Sequence, residues 1–588
     1  MAPLDTATQV PLAGMGLEAL MPRLEGLPPA DAIGLYRAWL TANPASPQRF
    51  AAWFNLGVQL GAGGDRQGAM IAYRQALAMK PDLHQAAVNL GLALEAEGRQ
   101  EEALATWEAA LQPVEARLPL LNHRGRLFEN QKRYAEAEAT LRQSLQLDPQ
   151  QPDVVQHWSH LRQKGCMWPL DGGGLPGLDA ETLALMGGPL GALALTDDPA
   201  LQTRIGAAWI ARKVPAAPER LAPPQGYAHD RIRVGYLSSD FCRHAMGTLI
   251  VELLERHDRS RFEVFGYCTT EEDGSELRAR ILAAFDHHVP VRQLTDEQLA
   301  RRIRADEIDI LVDLNGLTRG ARLGALRWKP APVQATYLGY VGPVPLPELD
   351  WMICDRDVVP EAEDDGYAPR PLPLDGLYQA NDGQPPALPV VTRASEGLPE
   401  DAFVLCCFNN FYKITPTVFG AWMRIMARAP RSVLWLTEDN ATGIANLRRA
   451  AQAAGVDPAR ILFATRCDPA RYRARLGLAD LFLDTTPYNA GTVASDALRM
   501  GLPIVTLAGR AFAARMATAL LRAIGLPGNS ATSVDEYVEI ACAHALDPAH
   551  HARVKTALAG DAWARTVGDA AGFARRIEAA YERIRLRP

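Results

Sequence analysis

The sequence predicts an all-α repeat superhelix followed by two doubly wound α/β domains, and three observations carry that prediction. From about residue 48 the chain repeats itself every 34 residues, from Arg231 short apolar strands alternate with helices, and near Phe403 the same alternation begins again. At 588 residues the chain is too long for one hydrophobic core. A formal charge of −7 gives no overall attraction for nucleic acid or for an anionic membrane. The eight cysteines lack CxxC spacing and several fall in strand-like runs, which points to a reducing compartment without structural zinc. The opening stretch MAPLDTATQVPLAG has no basic segment before an apolar core, and no uncharged run approaches the ~18 residues of a membrane span. A cytoplasmic location is expected.

Residues 1–47 contain amphipathic helical pieces and form an N-terminal helical segment. In the array that follows, Asn55-Leu56-Gly57 recurs as Asn89-Leu90-Gly91, Gly64 recurs as Gly98, and Ala69, Ala103 and Ala137 align. Tyr73, Trp107 and Leu141 stand in one register, Leu77, Leu111 and Leu145 in another, and Pro81 and Pro149 follow the second helix of their units. The period, the small residues where two helices touch and the closing Pro resemble the tetratricopeptide repeat. The array runs over 48–165, including a trailing helix, VVQHWSHLRQ. Helix pairs of this kind stack because none can bury its apolar face alone, leaving a concave groove. Asn55, Asn89 and His123 occupy equivalent positions on successive first helices. They are candidates to bind the backbone of an extended peptide; the structural alternative is that they bridge neighbouring helices.

Residues 166–230 are a turn-rich transition and linker. The first α/β domain is expected over 231–356. RIRVGYLSS, FEVFGYC, IDILVDLNG, VQATYLGY and LDWMICD read as strands, and HAMGTLIVELLERH, ELRARILAAF and TDEQLARRIRA as helices between them. Near-continuous apolar strands alternating with helices give a parallel sheet covered on both faces. Residues 357–400, rich in Pro, Asp and Gly, read as a connection. The second α/β domain, 401–588, has the strands FVLCCF, SVLWL, ILFAT and LFL, with helices between and after them. Two such domains meet at a cleft, an architecture that glycosyltransferases share with nucleotide-sugar epimerases.

The stretch LFLDTTPYNAGTVASDALRMGLPIVTL, Leu481 to Leu507, reads as strand, loop, helix, strand, with Thr492 as the expected N-cap of the helix. The free N–H groups and positive dipole end of such a helix suit a diphosphate. Asp496, one turn in, is placed to reach ribose hydroxyls. An ordinary α/β turn with small residues for packing fits the loop alone equally well.

Blocks dispersed along the chain decide more. RVGYLSSDFCRHAMGTL, FEVFGYCTTEEDG, LVDLNGLTRGAR, PAPVQATYLGY, LPEDAFVLCCFNNFYKITP and LADLFLDTTPYNAGTVASDAL resemble, in this order, the catalytic region of the O-linked N-acetylglucosamine transferase and SPINDLY family, glycosyltransferase family 41. The resemblance runs from about Arg231 to the end, and the repeat array belongs to the same family plan. It implies a tetratricopeptide-repeat superhelix followed by a GT-B architecture of two Rossmann-like domains. It further implies an inverting, metal-independent protein O-glycosyltransferase with UDP-N-acetylglucosamine as default donor, no cofactor, and protein acceptors modified on Ser or Thr. Lys413 matches the family's essential lysine, flanked by Asn410 and Tyr412. Thr492 and the backbone at Gly491 match its diphosphate-binding helix start, and Asp496 matches its ribose carboxylate. His244 matches the cleft histidine, as base or as orienter, with Asp240 and Arg243 beside it in the same loop. Asn315, Gly316, Thr318, Gly339, Tyr340 and Gly342 are expected on the sugar side. No DxD-like cluster stands where a metal would bind.

This chain also departs from the family pattern. Gly491 and Val493 stand where the N-acetylglucosamine transferases have histidine and threonine. Tyr472 takes the place of a histidine that stacks on the uracil, and LGYVGPVPLPE lacks the family's hydroxyls at that point. A GDP-fucose donor, a non-catalytic repeat scaffold, and an epimerase or small-molecule transferase therefore remain as alternatives.

Overall fold

The computed structural model describes residues 11–111, 117–171, 174–384 and 387–586. The chain divides into two compact units, Met1–Leu161 with Leu175–Gly177, and Arg162–Gly174 with Leu178–Pro588. Among the described residues no helix is long and apolar enough to cross a membrane.

The first unit is a run of antiparallel helix pairs: Arg49–Ala62 with Arg66–Met79, His84–Ala96 with Gln100–Ala109, and Arg117–Asn130 with Tyr134–Leu147. The helix Pro29–Ala42 precedes them and most of Pro152–Lys164 follows. The repeat register is a packing register. A Cβ on Gly57 would lie 2.5 Å from Tyr73 Cε1, and one on Gly91 or Gly125 would overlap Trp107 or Leu141. Each first helix thus uses a glycine to admit the large side chain of the second. Ala69, Ala103 and Ala137 are buried beside these contacts. The turn within each pair needs a left-handed residue, Gly64 at φ 85° and Gly98 at φ 76°; the third unit places Lys132 there at φ 60°.

The second unit holds two parallel sheets. The first comprises β1 (Ile232–Ser238), β2 (Phe262–Cys268), β3 (His287–Pro290), β4 (Ile310–Asp313), β5 (Val333–Thr336), β6 (Trp351–Cys354) and β7 (Arg370–Pro373), in the order β3-β2-β1-β4-β5-β6-β7. The second comprises β8 (Phe403–Cys407), β9 (Ser432–Thr437), β10 (Ile461–Ala464), β11 (Leu481–Leu483), β12 (Ile504–Leu507) and β13 (Ser530–Ala531), in the order β10-β9-β8-β11-β12-β13. Strand order reverses between β1 and β4 and between β8 and β11. Loops after such strands diverge to either face and leave a crevice at the carboxyl edge.

Two expectations are corrected. The first sheet continues into the segment read as a connection, because Arg370-Pro371-Leu372-Pro373 forms its edge strand. Prolines are tolerated at an edge, where one side of the strand has no partner. The chain also crosses back at its end: in the helix Ala570–Ile584, Tyr581 meets the Tyr236 hydroxyl of β1 at 3.0 Å and Glu578 bonds His257 at 3.0 Å. The second sheet's domain therefore does not own the whole of 401–588. The strand β3 shows no apolar run because three of its four residues are exposed.

Candidate active site

The crevice within the second unit is a cavity of about 740 Å³, lined from the first sheet's side by Ser239, Asp240, His244, Thr318 and Gly339 and from the second by Asn409, Lys413, Tyr488, Gly491 and Thr492. Leu249 and Thr492 also line an adjoining arm of about 380 Å³, which contains Arg473, Asp496, Arg499 and Trp563.

The helix Thr492–Arg499 begins at the cavity. Its N-cap is Gly491, at φ −105° and ψ −82° with no side-chain cap, and Thr492 is its first residue. The expected capping role of Thr492 is therefore corrected: its backbone is already helical, and the first intrahelical bond runs from Ser495 N–H to the Gly491 carbonyl. Among the described residues the N–H groups of Thr492, Val493 and Ala494 have no protein acceptor. Three donors at the positive end of a helix are suited to an anion.

Lys413 ends a short turn, Phe411–Lys413, that follows β8. Its Nζ donates to the Asn489 carbonyl at 2.9 Å and lies 3.6 Å from the centroid of the Tyr488 ring. Burial pushes its pKa down, and the Asp484 carboxylate opposes that shift. Asp484 is buried and accepts from Thr506 Oγ1 at 2.7 Å and from the N–H groups of Thr485 and Ala490, each at 2.8 Å. Its own pKa is pushed up by burial, while these donors and Lys413 pull it back. Asn409 adds a bond of 2.7 Å to Thr485. Neither Asp484 nor Asn409 stood out in the sequence. The available signal was position: a carboxylate at the end of β11 and an amide at the end of β8, the two neighbouring strands of the switch point. Asn410 is exposed, and Tyr412 bonds both Asn410 and Tyr488.

His244 caps the helix Ala245–Arg256 on the opposite wall. Its Nδ1 accepts the Met246 N–H at 3.3 Å, and its side chain is 52% exposed. An Nδ1 that accepts places the proton of the neutral ring on Nε2. The ring therefore carries its donor at Nε2, and His244 lines the cavity. Asp240 stands 3.9 Å from Nδ1 and takes a 2.8 Å bond from Asn315. The Arg243 backbone donates to Asp273 at 2.8 Å.

Of the six residues expected on the sugar side, Thr318 and Gly339 line the cavity. The other four sit behind it. Asn315 is buried and holds the loop after β1 by accepting the Ser239 N–H at 2.9 Å. Gly316, at φ 57°, packs under Tyr340 and donates to Asp313 at 2.7 Å. The Tyr340 hydroxyl donates to the Pro189 carbonyl at 3.0 Å, and Gly342 packs on Leu193 and Tyr340. They do not reach the cavity because their side chains or close backbone approaches are used within the wall. Leu338, at φ 68°, does line it. A leucine in this conformation carries about 1–2 kcal/mol of strain, and a Cβ on Gly339 beside it would overlap the Leu314 carbonyl.

In the side arm Asp496 is ion-paired with Arg473 at 3.2 Å. Tyr472, expected to stack on a base, packs instead with its ring 6.0 Å from that of Phe408, and its buried hydroxyl has no partner among the described residues. The one Asp-X-Asp run near the cleft, Asp355-Arg356-Asp357, is used structurally. Asp355 accepts the N–H groups of Asp357, Val358 and Tyr378, and Asp357 pairs with Arg522 at 2.5 Å.

In the repeat unit each residue of the polar register meets the aromatic side chain of the preceding helix. Tyr36 bonds Asn55, Tyr73 approaches Asn89 at 3.4 Å, and Trp107 stacks on His123 at 5.5 Å. All three are half-buried, so each is already oriented by its neighbour.

Two parallel sheets meeting at their carboxyl edges, with a half-buried lysine and a helix start lining one cavity, form the crevice of a fold built from two Rossmann-like domains. The model of glycosyl transferase family 41 matches residues 216–370 and 377–570, more than half of the chain, and the chain belongs to that family. Tetratricopeptide-repeat models match residues 59–119 and 118–151. Among curated relatives, a probable UDP-N-acetylglucosamine–peptide N-acetylglucosaminyltransferase SEC of Arabidopsis thaliana is 35% identical over 324 residues, covering 54% of this chain and 33% of its own length. The UDP-N-acetylglucosamine–peptide N-acetylglucosaminyltransferase of Caenorhabditis elegans is 27% identical, covering 55% of this chain and 38% of its own length. The matches span about a third of the length of these relatives. A solved structure of a mutant O-GlcNAc transferase from Thermobaculum terrenum aligns with a TM-score of 0.65 at 26% identity, covering 91% of this chain and 97% of that one.

Proposed function

We propose that the chain transfers N-acetylglucosamine from UDP-N-acetylglucosamine to Ser or Thr hydroxyls of proteins held by the repeat unit, with inversion at the anomeric carbon. The observation that carries this reading is Lys413. Its ammonium is bonded to a single carbonyl and set against an aromatic face, and it lines the same cavity as the helix start at Gly491 and Thr492. A diphosphate there replaces weak partners with strong ones.

In the reaction the acceptor oxygen bonds to the anomeric carbon as the bond from that carbon to the β-phosphate oxygen breaks. Negative charge grows on the leaving diphosphate. Lys413 and the N–H groups of residues 492–494 meet it in a site whose dipoles are already set, which is where most of the catalytic benefit arises. Asp484 keeps Lys413 charged despite burial. His244, with Nε2–H toward the cleft, orients the acceptor or the sugar, and the acceptor proton leaves to solvent through the open mouth. Asp496 takes the ribose hydroxyls, and Asn55, Asn89 and His123 take the acceptor backbone. A metal is not required in this scheme, because the lysine and the helix start supply the positive charge.

The test is transfer itself. The purified chain, incubated with UDP-N-acetylglucosamine and cell proteins, should place N-acetylhexosamine on Ser or Thr residues detected by mass spectrometry, and Lys413→Ala should not. Turnover of GDP-fucose alone would move the chain to the fucosyl reading, and turnover of neither donor would make it a scaffold.

A further inference from the structure

The side arm contains an ion pair that the transfer scheme does not by itself require. The helix Pro469–Leu476 carries three arginines at alternate positions. Arg471 and Arg475, one turn apart, both face Glu396: Arg471 bonds it at 2.7 Å and Arg475 stands in ion-pair contact with it at 2.5 Å. Arg473 falls on the opposite side of the helix by the 3.6-residue period, and its Nε donates to Asp496 Oδ1 at 3.2 Å. The two side chains are 19% and 15% exposed. Among the described residues no protein donor reaches Asp496 Oδ2.

The other cations of the arm are committed elsewhere. Arg499 donates to the carbonyls of Asp382, Gly383 and Gln384 and lies 4.4 Å from the centroid of a Trp563 ring. Arg280 pairs with Asp382 and Glu255, each at 2.6 Å. A carboxylate has about four lone-pair sites. Arg473 occupies one, which leaves Oδ2 and the second site of Oδ1 for two hydroxyls. We propose that Arg473 is a positioning residue for the nucleotide: by bonding one oxygen of Asp496 it holds the carboxylate in a single orientation, with the other oxygen open to the ribose diol of the donor. This rests on reading the cavity as a nucleotide-sugar site.

Ionisation is the second half of the role. Burial pushes the Asp496 pKa up, and Arg473 opposes it by charge and by hydrogen bond, with Arg499 adding charge from the same helix. The remaining titratable groups of the arm are Tyr472 beside Arg473, Glu276 and the Arg280–Asp382 pair, and the helix Ala562–Arg565, which packs on Thr492–Arg499, carries an exposed pair between Arg565 and its N-cap Asp561. None of these bonds Asp496. A protonated Asp496 accepts ribose hydroxyls poorly, so loss of Arg473 should weaken nucleotide binding first on the acid side.

Calorimetry with UDP and 2′,3′-dideoxy-UDP, across acidic to neutral pH, tests this on the full chain and its Arg473→Gln, Arg473→Lys and Asp496→Asn variants. Arg473→Gln should weaken UDP about tenfold or more and raise the pH of the acid limb by about one to three units. It should leave dideoxy-UDP unchanged, and Arg473→Lys should recover part of the loss. Asp496→Asn, nearly isosteric, gives a second route: it should abolish the acid limb and the preference for UDP over dideoxy-UDP together. Equal weakening of both nucleotides by Arg473→Gln, or an acid limb that does not move, overturns the inference while the nucleotide site stands. Failure of the unsubstituted chain to bind either nucleotide overturns the parent reading and this one with it.

Discussion

On one wall of the cleft Asp484 is buried and Lys413 half-buried, bonded to each other's surroundings and shifted toward neutrality by burial. On the other wall His244 stands half in solvent, held by one long backbone bond to its Nδ1. Both groups follow from parallel strands at a switch point, yet one is held by a carbonyl and an aromatic ring and the other is half exposed. The difference matches the tasks. A leaving diphosphate needs charge set in advance, where a low dielectric strengthens it; an acceptor hydroxyl carried on a protein needs an open approach.

Lys413→Ala should break the comparison most strongly, lowering transfer by about a hundredfold or more, since one lost charge stabiliser costs about 3–4 kcal/mol. Near-normal turnover would remove it from the mechanism. Asp484→Asn should come next and acts on both stability and pH. Losing a buried charged acceptor of four bonds, from Thr485, Ala490, Thr506 and Asn409, should lower unfolding free energy by about 2–3 kcal/mol, read in a denaturant titration. Lys413 must be protonated in the free enzyme, and burial has lowered its pKa, so kcat/KM should fall with rising pH well before an ordinary lysine titrates. Asp484→Asn removes a charge that favours the ammonium, so this limb should move to still lower pH. Bound diphosphate favours the ammonium, so the limb of kcat should lie above that of kcat/KM; coincident limbs would contradict the pairing.

On the open wall the effects should be smaller. His244→Ala should lower kcat about tenfold, below the 10²–10⁴ range of a general base, with UDP affinity unchanged. A loss beyond that range would restore the histidine as base. In the repeat unit, Asn55→Ala with Asn89→Ala should raise KM for protein acceptors several-fold while donor hydrolysis continues; a common fall in both would make the register structural. Lys132→Gly, relieving a left-handed lysine at the turn where the sister units have Gly64 and Gly98, should stabilise the repeat unit by about 0.5–1 kcal/mol. An unchanged melting temperature would count against strain there.

Much of the fold was legible because its signals are periodic. Gly57 and Gly91 repeat in step with Tyr73 and Trp107 because each pair is one contact, and the buried strands β1, β2, β8 and β9 announce themselves as apolar runs. The edge strands do not, since β3 is mostly exposed and β7 is half proline. Lys413, His244, Gly491 and Thr492 were found through motif context and do line the cavity. Asn315, Gly316, Tyr340 and Gly342 belong to the same motifs but brace the wall, because a motif records that a residue is needed and not which way it faces. Asp484 was missed for the converse reason: its partners, Thr506, Ala490 and Lys413, converge only in three dimensions.

The most direct measurement is calorimetry of UDP, UDP-N-acetylglucosamine, GDP and GDP-fucose against the unsubstituted chain and Lys413→Ala. The account predicts UDP-selective binding that Lys413→Ala abolishes or weakens by about a hundredfold. Binding of equal strength to both proteins, or to none of the four nucleotides, would contradict the claim that Lys413 and the helix start form a diphosphate site.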